Sequence, residues 1–208
     1  MADKLRTGLE RVLVHEYVHH VVDGIIDDEI VPNWLNEGLA EFYETVLGRE
    51  RPRSNAFALH RFRTADNAKL AAQSETLFPL AELESNKEWN ERSEPDRIRL
   101  QYDQSYMIIR FMNETFDKSS PFDALREIAS GAELPEALNS VVGLNYEDFE
   151  ARFVDWLSNW EDPVTTQATD YFQVLDQIME LRGSISDRRR ANIQQSLSDI
   201  ENVAVYTE

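Results

Sequence analysis

Two histidines near the start of the chain have the spacing of metal ligands. The segment His15-Glu16-Tyr17-Val18-His19 is predicted to be helical, and residues four apart on a helix share one face. Both imidazoles can therefore reach one ion, and zinc binds imidazole nitrogen readily. Glu16 is expected at the flank of that face, where its carboxylate can reach a water on the ion. This is the HExxH arrangement, in which the glutamate acts as a general base.

A catalytic zinc site also needs a third protein ligand beside an open position. The chain has no cysteine, and His20 and His60 are the other two of its four histidines. On a helix, His20 points about 100° away from His19, so it is a poor candidate. A carboxylate is the natural alternative, and Glu37 offers one 18 residues after His19.

The surroundings of Glu37 favour a buried site over a solvated acidic stripe, which is the usual interpretation of surface glutamates. Glu37, Glu41 and Glu44 share one face of a predicted helix, but apolar residues are not cleanly separated from them. Gly38 and Ala40 are small side chains beside Glu37. They permit a neighbouring helix to approach closely.

The elements that must position these residues are predicted to be mainly helical. Seven glycines and seven prolines in 208 residues are few, and no segment alternates with the period of a strand. Residues 49–60 and 84–97 are expected to be largely loop. The predicted helices cover approximately 5–22, 33–48, 65–74, 95–116, 121–129, 135–142, 146–160, 170–182 and 187–203.

The predicted organisation is a catalytic helical domain over residues 1–162 and an appended α-hairpin over residues 163–208, joined at Asp162-Pro163. The hairpin carries an apolar face that could bind a protein partner. That face consists of Phe172, Leu175, Ile178, Met179 and Leu181.

Composition and charge exclude several classes of function. The 21 basic and 39 acidic residues give a net charge of −18, which repels nucleic acids and anionic lipid surfaces. No apolar run approaches the roughly 20 residues of a membrane span, and no signal-peptide core precedes the first helix. We therefore expect a soluble protein that does not bind nucleic acid, with its compartment unassigned.

The two motifs together resemble the gluzincin metallopeptidases, especially the M1 aminopeptidase-like branch and the peptidase-MA-like proteins. The likeness rests on residues 15–19 and on Trp34-Leu35-Asn36-Glu37-Gly38-Leu39-Ala40-Glu41. It implies that His15, His19 and Glu37 hold one Zn²⁺, and that Glu16 is the base in peptide-bond hydrolysis through a metal-activated water. It also implies that Glu41 is hydrogen-bonded to a ligand histidine, fixing its tautomer.

The resemblance extends to the long predicted helix near residue 102. Tyr102-Asp103-Gln104-Ser105 is similar to the Tyr-x-Lys-Gly segment of M1 enzymes, whose tyrosine hydrogen-bonds the developing oxyanion. The lysine and the glycine are replaced here. Tyr106, one turn further on, is the alternative donor.

Two features of the M1 enzymes have no counterpart in the sequence. The Gly-x-Met-Glu-Asn segment that grips a substrate's free amine is missing, so an aminopeptidase assignment is unsupported. The usual upstream β-sheet is also missing. The expected fold is therefore a zincin-type pair of active-site helices with a C-terminal helical bundle. Either the chain is a fragment of a larger protein, or its substrate is aligned differently.

Two other functions remain open at this stage. One is a zinc-bound or degenerate peptidase-like scaffold that binds a protein partner without hydrolysis. The intact Glu16 argues against it, because a scaffold needs no base there. The other is an all-α structural protein in which His15 and His19 are ordinary core residues.

Overall fold

The computed structural model describes residues 2–26, 30–49 and 55–162, and within these ranges it contains nine helices and no strand. The prediction of a mainly α fold is confirmed. The helices are α1 (Ala2–Ile25), α2 (Asn33–Arg49), α3 (Asn55–Gln73), α4 (Leu80–Glu84), α5 (Asn86–Glu91), α6 (Pro95–Thr115), α7 (Ser120–Ala129), α8 (Leu134–Val142) and α9 (Tyr146–Asn159). None of them combines the length and apolar character needed to cross a membrane.

The chain divides into two compact units, Met1–Asn159 and Trp160–Glu208. The nine helices all lie in the first unit. The predicted hairpin over residues 163–208 lies outside the described residues, and its domain boundary stays a prediction.

The two expected loops were partly wrong. Helix α3 begins at Asn55, ten residues before the predicted start at Ala65, because Ala56 and the residues after it are compatible with a helix. The polar stretch after residue 84 contains the short helix α5. The side chain of Ser85 accepts a hydrogen bond from the Glu88 N–H, and Trp89 is buried, so a local cap and one apolar anchor stabilise this turn.

Helix α6 is the centre of the first unit, and α2 packs along it. The middle of α6 is buried on almost every side, since five apolar side chains between residues 107 and 112 have no exposed surface. These residues are Met107, Ile108, Ile109, Phe111 and Met112. Helix α9 supplies part of that cover, because the ring of Phe149 lies 5.5 Å from that of Phe111 in an edge-to-face contact.

Gly38 permits the close contact between α2 and α6. A Cβ atom at this position would lie 2.5 Å from the carbonyl oxygen of Ser105 and 2.8 Å from a side-chain carbon of Ile109. Any larger residue would push the helices apart. The predicted approach of a helix beside Glu37 is confirmed, and the approaching helix is α6.

Helix α1 packs against the same helix α2 from another side. Val18 and Val22 are buried on α1, and Leu35 and Leu39 are buried on α2. Burial of these branched side chains fixes the rotation of both helices. The two histidines of the motif each lie three residues before one of these valines, so they are on the same side of α1.

Candidate metal centre

Helices α1 and α2 bring His15, His19 and Glu37 together at one point. Nε2 of His15 lies 3.4 Å from Oε2 of Glu37, and Nε2 of His19 lies 3.6 Å from the same oxygen. The two imidazole rings are 4.8 Å apart and nearly perpendicular. Three residues from two helices thus direct one donor atom each at a common centre.

The spacing of these atoms fits a metal ion better than a set of hydrogen bonds. Distances of 3.4 and 3.6 Å exceed the usual hydrogen-bond length. For zinc–ligand bonds of about 2.0–2.1 Å, however, two ligands of a tetrahedral ion lie about 3.3 Å apart. Two imidazole nitrogens and one carboxylate oxygen are also a donor set that zinc accepts. The residues present therefore fit a zinc ion.

The outer nitrogen of each imidazole faces an acceptor. Nδ1 of His19 lies 2.8 Å from Oδ1 of Asn36, and Nδ1 of His15 lies 3.4 Å from Oε2 of Glu44. Nδ1 of His19 is at hydrogen-bond distance from its acceptor, whereas Nδ1 of His15 faces the carboxylate at a longer distance. A proton on Nδ1 leaves the lone pair of Nε2 directed at the common centre. Acceptors at these positions favour the Nδ1-protonated tautomer, which is the one that a metal needs.

The imidazoles and the nearby carboxylates shift one another's pKa values. The carboxylate of Glu37, and then that of Glu44, raises the pKa of His15 to about 10. Contact with Glu37 also raises the pKa of His19. Burial alone would raise the pKa of Glu37, but the two imidazoles outweigh it and lower that pKa to about 2. A divalent cation must therefore displace protons from the imidazoles, as metal binding to histidine generally does.

The carboxylate that faces His15 across the helix contact belongs to Glu44. The sequence predicts Glu41 instead as the partner of a ligand histidine. Glu41 lies nearby, since His15, Glu41 and Glu44 have donor atoms within 4.8 Å of one another. Burial, followed by the negative charge of Glu44, raises the pKa of Glu41 to about 7. In this second group, the guanidinium of Arg11 already pairs with the carboxylate of Glu44. The second group is therefore not equivalent to the centre formed by His15, His19 and Glu37.

The centre opens to solvent on one side. The side chains of His15, His19 and Glu37 are each about one fifth exposed, at 19%, 20% and 21%. Glu16 is exposed on the adjacent face of α1, as is His20. An accessible edge next to a carboxylate is what a catalytic metal site needs for a water and a substrate. The structure does not describe the side chain of His60.

Tyr102 is the half-buried one of the two candidate tyrosines on α6. Burial and, after it, the charge of Glu37 raise the pKa of Tyr102. Its ring makes an edge-to-face contact with Trp89 at 5.2 Å. Tyr106 is 2% exposed, and its hydroxyl accepts a hydrogen bond of 3.4 Å from Arg110. Tyr102 is therefore the more exposed of the two tyrosines.

Sequence comparison places the chain in a known superfamily. The family model described as Peptidase MA superfamily matches residues 2–159 of the chain. The chain belongs to the peptidase MA superfamily. Neither a curated protein nor a solved structure matches it. Peptidase MA proteins are generally zinc-dependent, and the matched region contains both helices of the centre. This peptidase MA chain thus has a metallopeptidase-like scaffold, and the narrower M1-like assignment stays a prediction.

The sequence interpretation gave no role to Asn36, Glu44 or Arg11 in this peptidase MA scaffold. Asn36 directly precedes Glu37, and Glu44 lies on the same helix face two turns further on. Their spacing was visible, but only the rotation of α1 against α2 shows which acceptor faces which imidazole. Arg11 lies one turn before His15, and the spacing of two residues on one helix cannot show a partner on another helix.

Proposed function

We propose that this chain is a zinc metallopeptidase that hydrolyses peptide bonds in peptide or protein substrates. The observation that carries the proposal is the convergence of both Nε2 atoms on one oxygen of Glu37, at 3.4 and 3.6 Å. The orientation of both rings by Asn36 and Glu44 supports it. The proposed ligands of one Zn²⁺ are His15, His19 and Glu37.

When bound, zinc supplies Lewis-acid activation of the scissile carbonyl and lowers the pKa of water at the site. Glu16, which is exposed on the adjacent face of α1, accepts a proton from the attacking water and delivers it to the leaving amine. Tyr102 donates its hydroxyl hydrogen to the oxyanion of the tetrahedral intermediate. Its raised pKa keeps the hydroxyl protonated, as a donor must be. Asn36 and Glu44 hold the two imidazoles in orientation.

The decisive experiment separates metal binding from hydrolysis. The zinc-loaded protein is incubated with a library of unstructured peptides, and cleavage is followed by mass spectrometry with and without a chelator. We expect cleavage only with zinc. Glu16→Gln should keep its zinc and lose about 10²–10⁴-fold in rate, the usual contribution of a general base.

A matched control is Glu136→Gln, which makes the same chemical change at an exposed position on α8. It should cleave like the parent. If Glu16→Gln binds zinc and cleaves as fast as the parent, Glu16 is not the base.

The second candidate is a zinc-bound or degenerate scaffold that binds a protein partner without hydrolysis. The absence of a strand from residues 2–26, 30–49 and 55–162 favours it, because no sheet edge there can align an extended substrate. One zinc per chain with no cleavage of any library peptide, together with stoichiometric binding of a protein, would support this candidate.

A further inference from the structure

Arg11 connects helices α1 and α2 next to the metal centre. It lies on α1 one turn before His15, and both Nε and Nη2 of its guanidinium contact Oε1 of Glu44 on α2. The other carboxylate oxygen, Oε2, faces Nδ1 of His15 at 3.4 Å. One carboxylate therefore bridges a guanidinium and an imidazole.

We propose that Arg11 is a positioning residue of the metal centre, which acts through Glu44 to hold His15 in its ligand orientation. The inference rests on the proposed function, since it assigns a role in binding the metal. A glutamate side chain rotates about three bonds, and its two oxygens are equivalent. By binding Oε1, Arg11 selects the rotamer in which Oε2 meets the imidazole, and Nε2 is then directed toward Glu37.

Burial and geometry make this contact more than a surface ion pair. The side chain of Glu44 is only 6% exposed and that of Arg11 27% exposed, so water screens the pair weakly. The guanidinium is planar and presents its donors in a fixed arrangement, so it restrains a carboxylate more tightly than a lysine ammonium does. Because Arg11 and His15 are on the same helix, the restraint also fixes Glu44 relative to α1.

The test compares zinc affinity in Arg11→Met, Arg11→Lys and the parent, by competition with a chelator of known affinity. We expect Arg11→Met to bind zinc about tenfold more weakly, the lower end of the 10–100-fold effect of losing a group that orients a ligand. Arg11→Lys should recover part of that loss, because it restores one donor and the charge. Arg126→Met removes an exposed arginine that pairs with Asp123 on the solvent side of α7 and should match the parent.

A second readout distinguishes positioning from general stability. The absorption spectrum of the Co²⁺-loaded protein reports ligand geometry, and we expect it to change in Arg11→Met and to stay unchanged in Arg126→Met. In a double-mutant cycle, Arg11→Met should weaken zinc binding little further once Glu44 is already Gln, because Arg11 acts through that carboxylate. If Arg11→Met does not fold, Arg11→Lys takes its place in the cycle.

The outcomes separate this inference from the proposed function. If the parent binds zinc and the Arg11 variants match its affinity and cobalt spectrum, Arg11 has no positioning role, while the proposed function stands. Additive losses in the cycle would overturn the inference as well. If the parent binds no zinc, the proposed function fails, and the role of Arg11 fails with it.

Discussion

Replacing Glu41 with Gln should stabilise the metal-free protein at pH 8 but not at pH 4.5. Burial, and then the charge of Glu44, raises the pKa of Glu41 from its ordinary value of 4.5 to about 7. The folded state therefore keeps a proton that the unfolded state releases between these values. Its contribution to stability is fully present below pH 4.5 and is lost as the pH rises through about 7.

The size of the effect follows from the same two pKa values. The difference between 4.5 and about 7 corresponds to about 3 kcal/mol, at about 1.36 kcal/mol for each pKa unit. This is an upper limit, because rearrangement around a charged Glu41 relieves part of the strain. Glutamine is neutral and nearly the same size, so it removes the penalty. We expect the variant to gain about 2 kcal/mol over the parent at pH 8.

The assay is urea unfolding followed by circular dichroism at pH 4.5 and pH 8, with a chelator present so that zinc does not stabilise the folded state. Glu136→Gln makes the same change of charge at an exposed position on α8 and controls for net charge. The prediction is refuted if Glu41→Gln is no more stable than the parent at pH 8, or if its stability rises equally at both pH values. Burial of the ionised carboxylate would then not destabilise the folded state by the expected amount.

Three further predictions test the packing, the metal and the oxyanion donor. Gly38→Ala should lower the free energy of unfolding by about 1–3 kcal/mol, because its Cβ would lie 2.5 Å from the Ser105 carbonyl oxygen. Urea unfolding measures this change, and an unchanged stability would contradict the close contact. Zinc binding at pH 7 should release at least about one proton, because His15 has a pKa of about 10 without metal. Calorimetry in two buffers of different protonation enthalpy measures the number of protons released. Zero release would contradict a protonated His15 in the metal-free protein. Tyr102→Phe should lower kcat about 10²-fold and leave the zinc affinity unchanged, whereas Tyr106→Phe should leave kcat unchanged. Equal rates of the two variants would exclude Tyr102 as the oxyanion donor.

Much of the metal centre could be predicted from the sequence because it depends on local helix geometry. His15 and His19 share a face whenever residues 15–19 are helical, whatever the rest of the fold does. Glu37 could be proposed because few other residues offered a third ligand. Its closeness to both rings depends on α1 packing against α2, which spacing suggests only by resemblance to a family.

The partners of the ligands could not be predicted in the same way. Glu41 and Glu44 differ by less than one turn, so periodicity places both on the face of Glu37. The choice between them depends on the rotation of α1, which Val18 and Val22 fix by burial. The helix over Asn86–Glu91 escaped prediction for a related reason, since the burial of Trp89 against Tyr102 is a tertiary contact.

The most direct test of the central claim is the coordination of zinc in the loaded protein, measured by X-ray absorption at the zinc edge. If His15, His19 and Glu37 are the ligands, the spectrum will show two imidazoles and one or two further oxygens at about 2.0–2.1 Å. His15→Ala should then lose one imidazole and most of its zinc. A spectrum with only oxygen ligands, or one that His15→Ala leaves unchanged, would contradict the proposed centre.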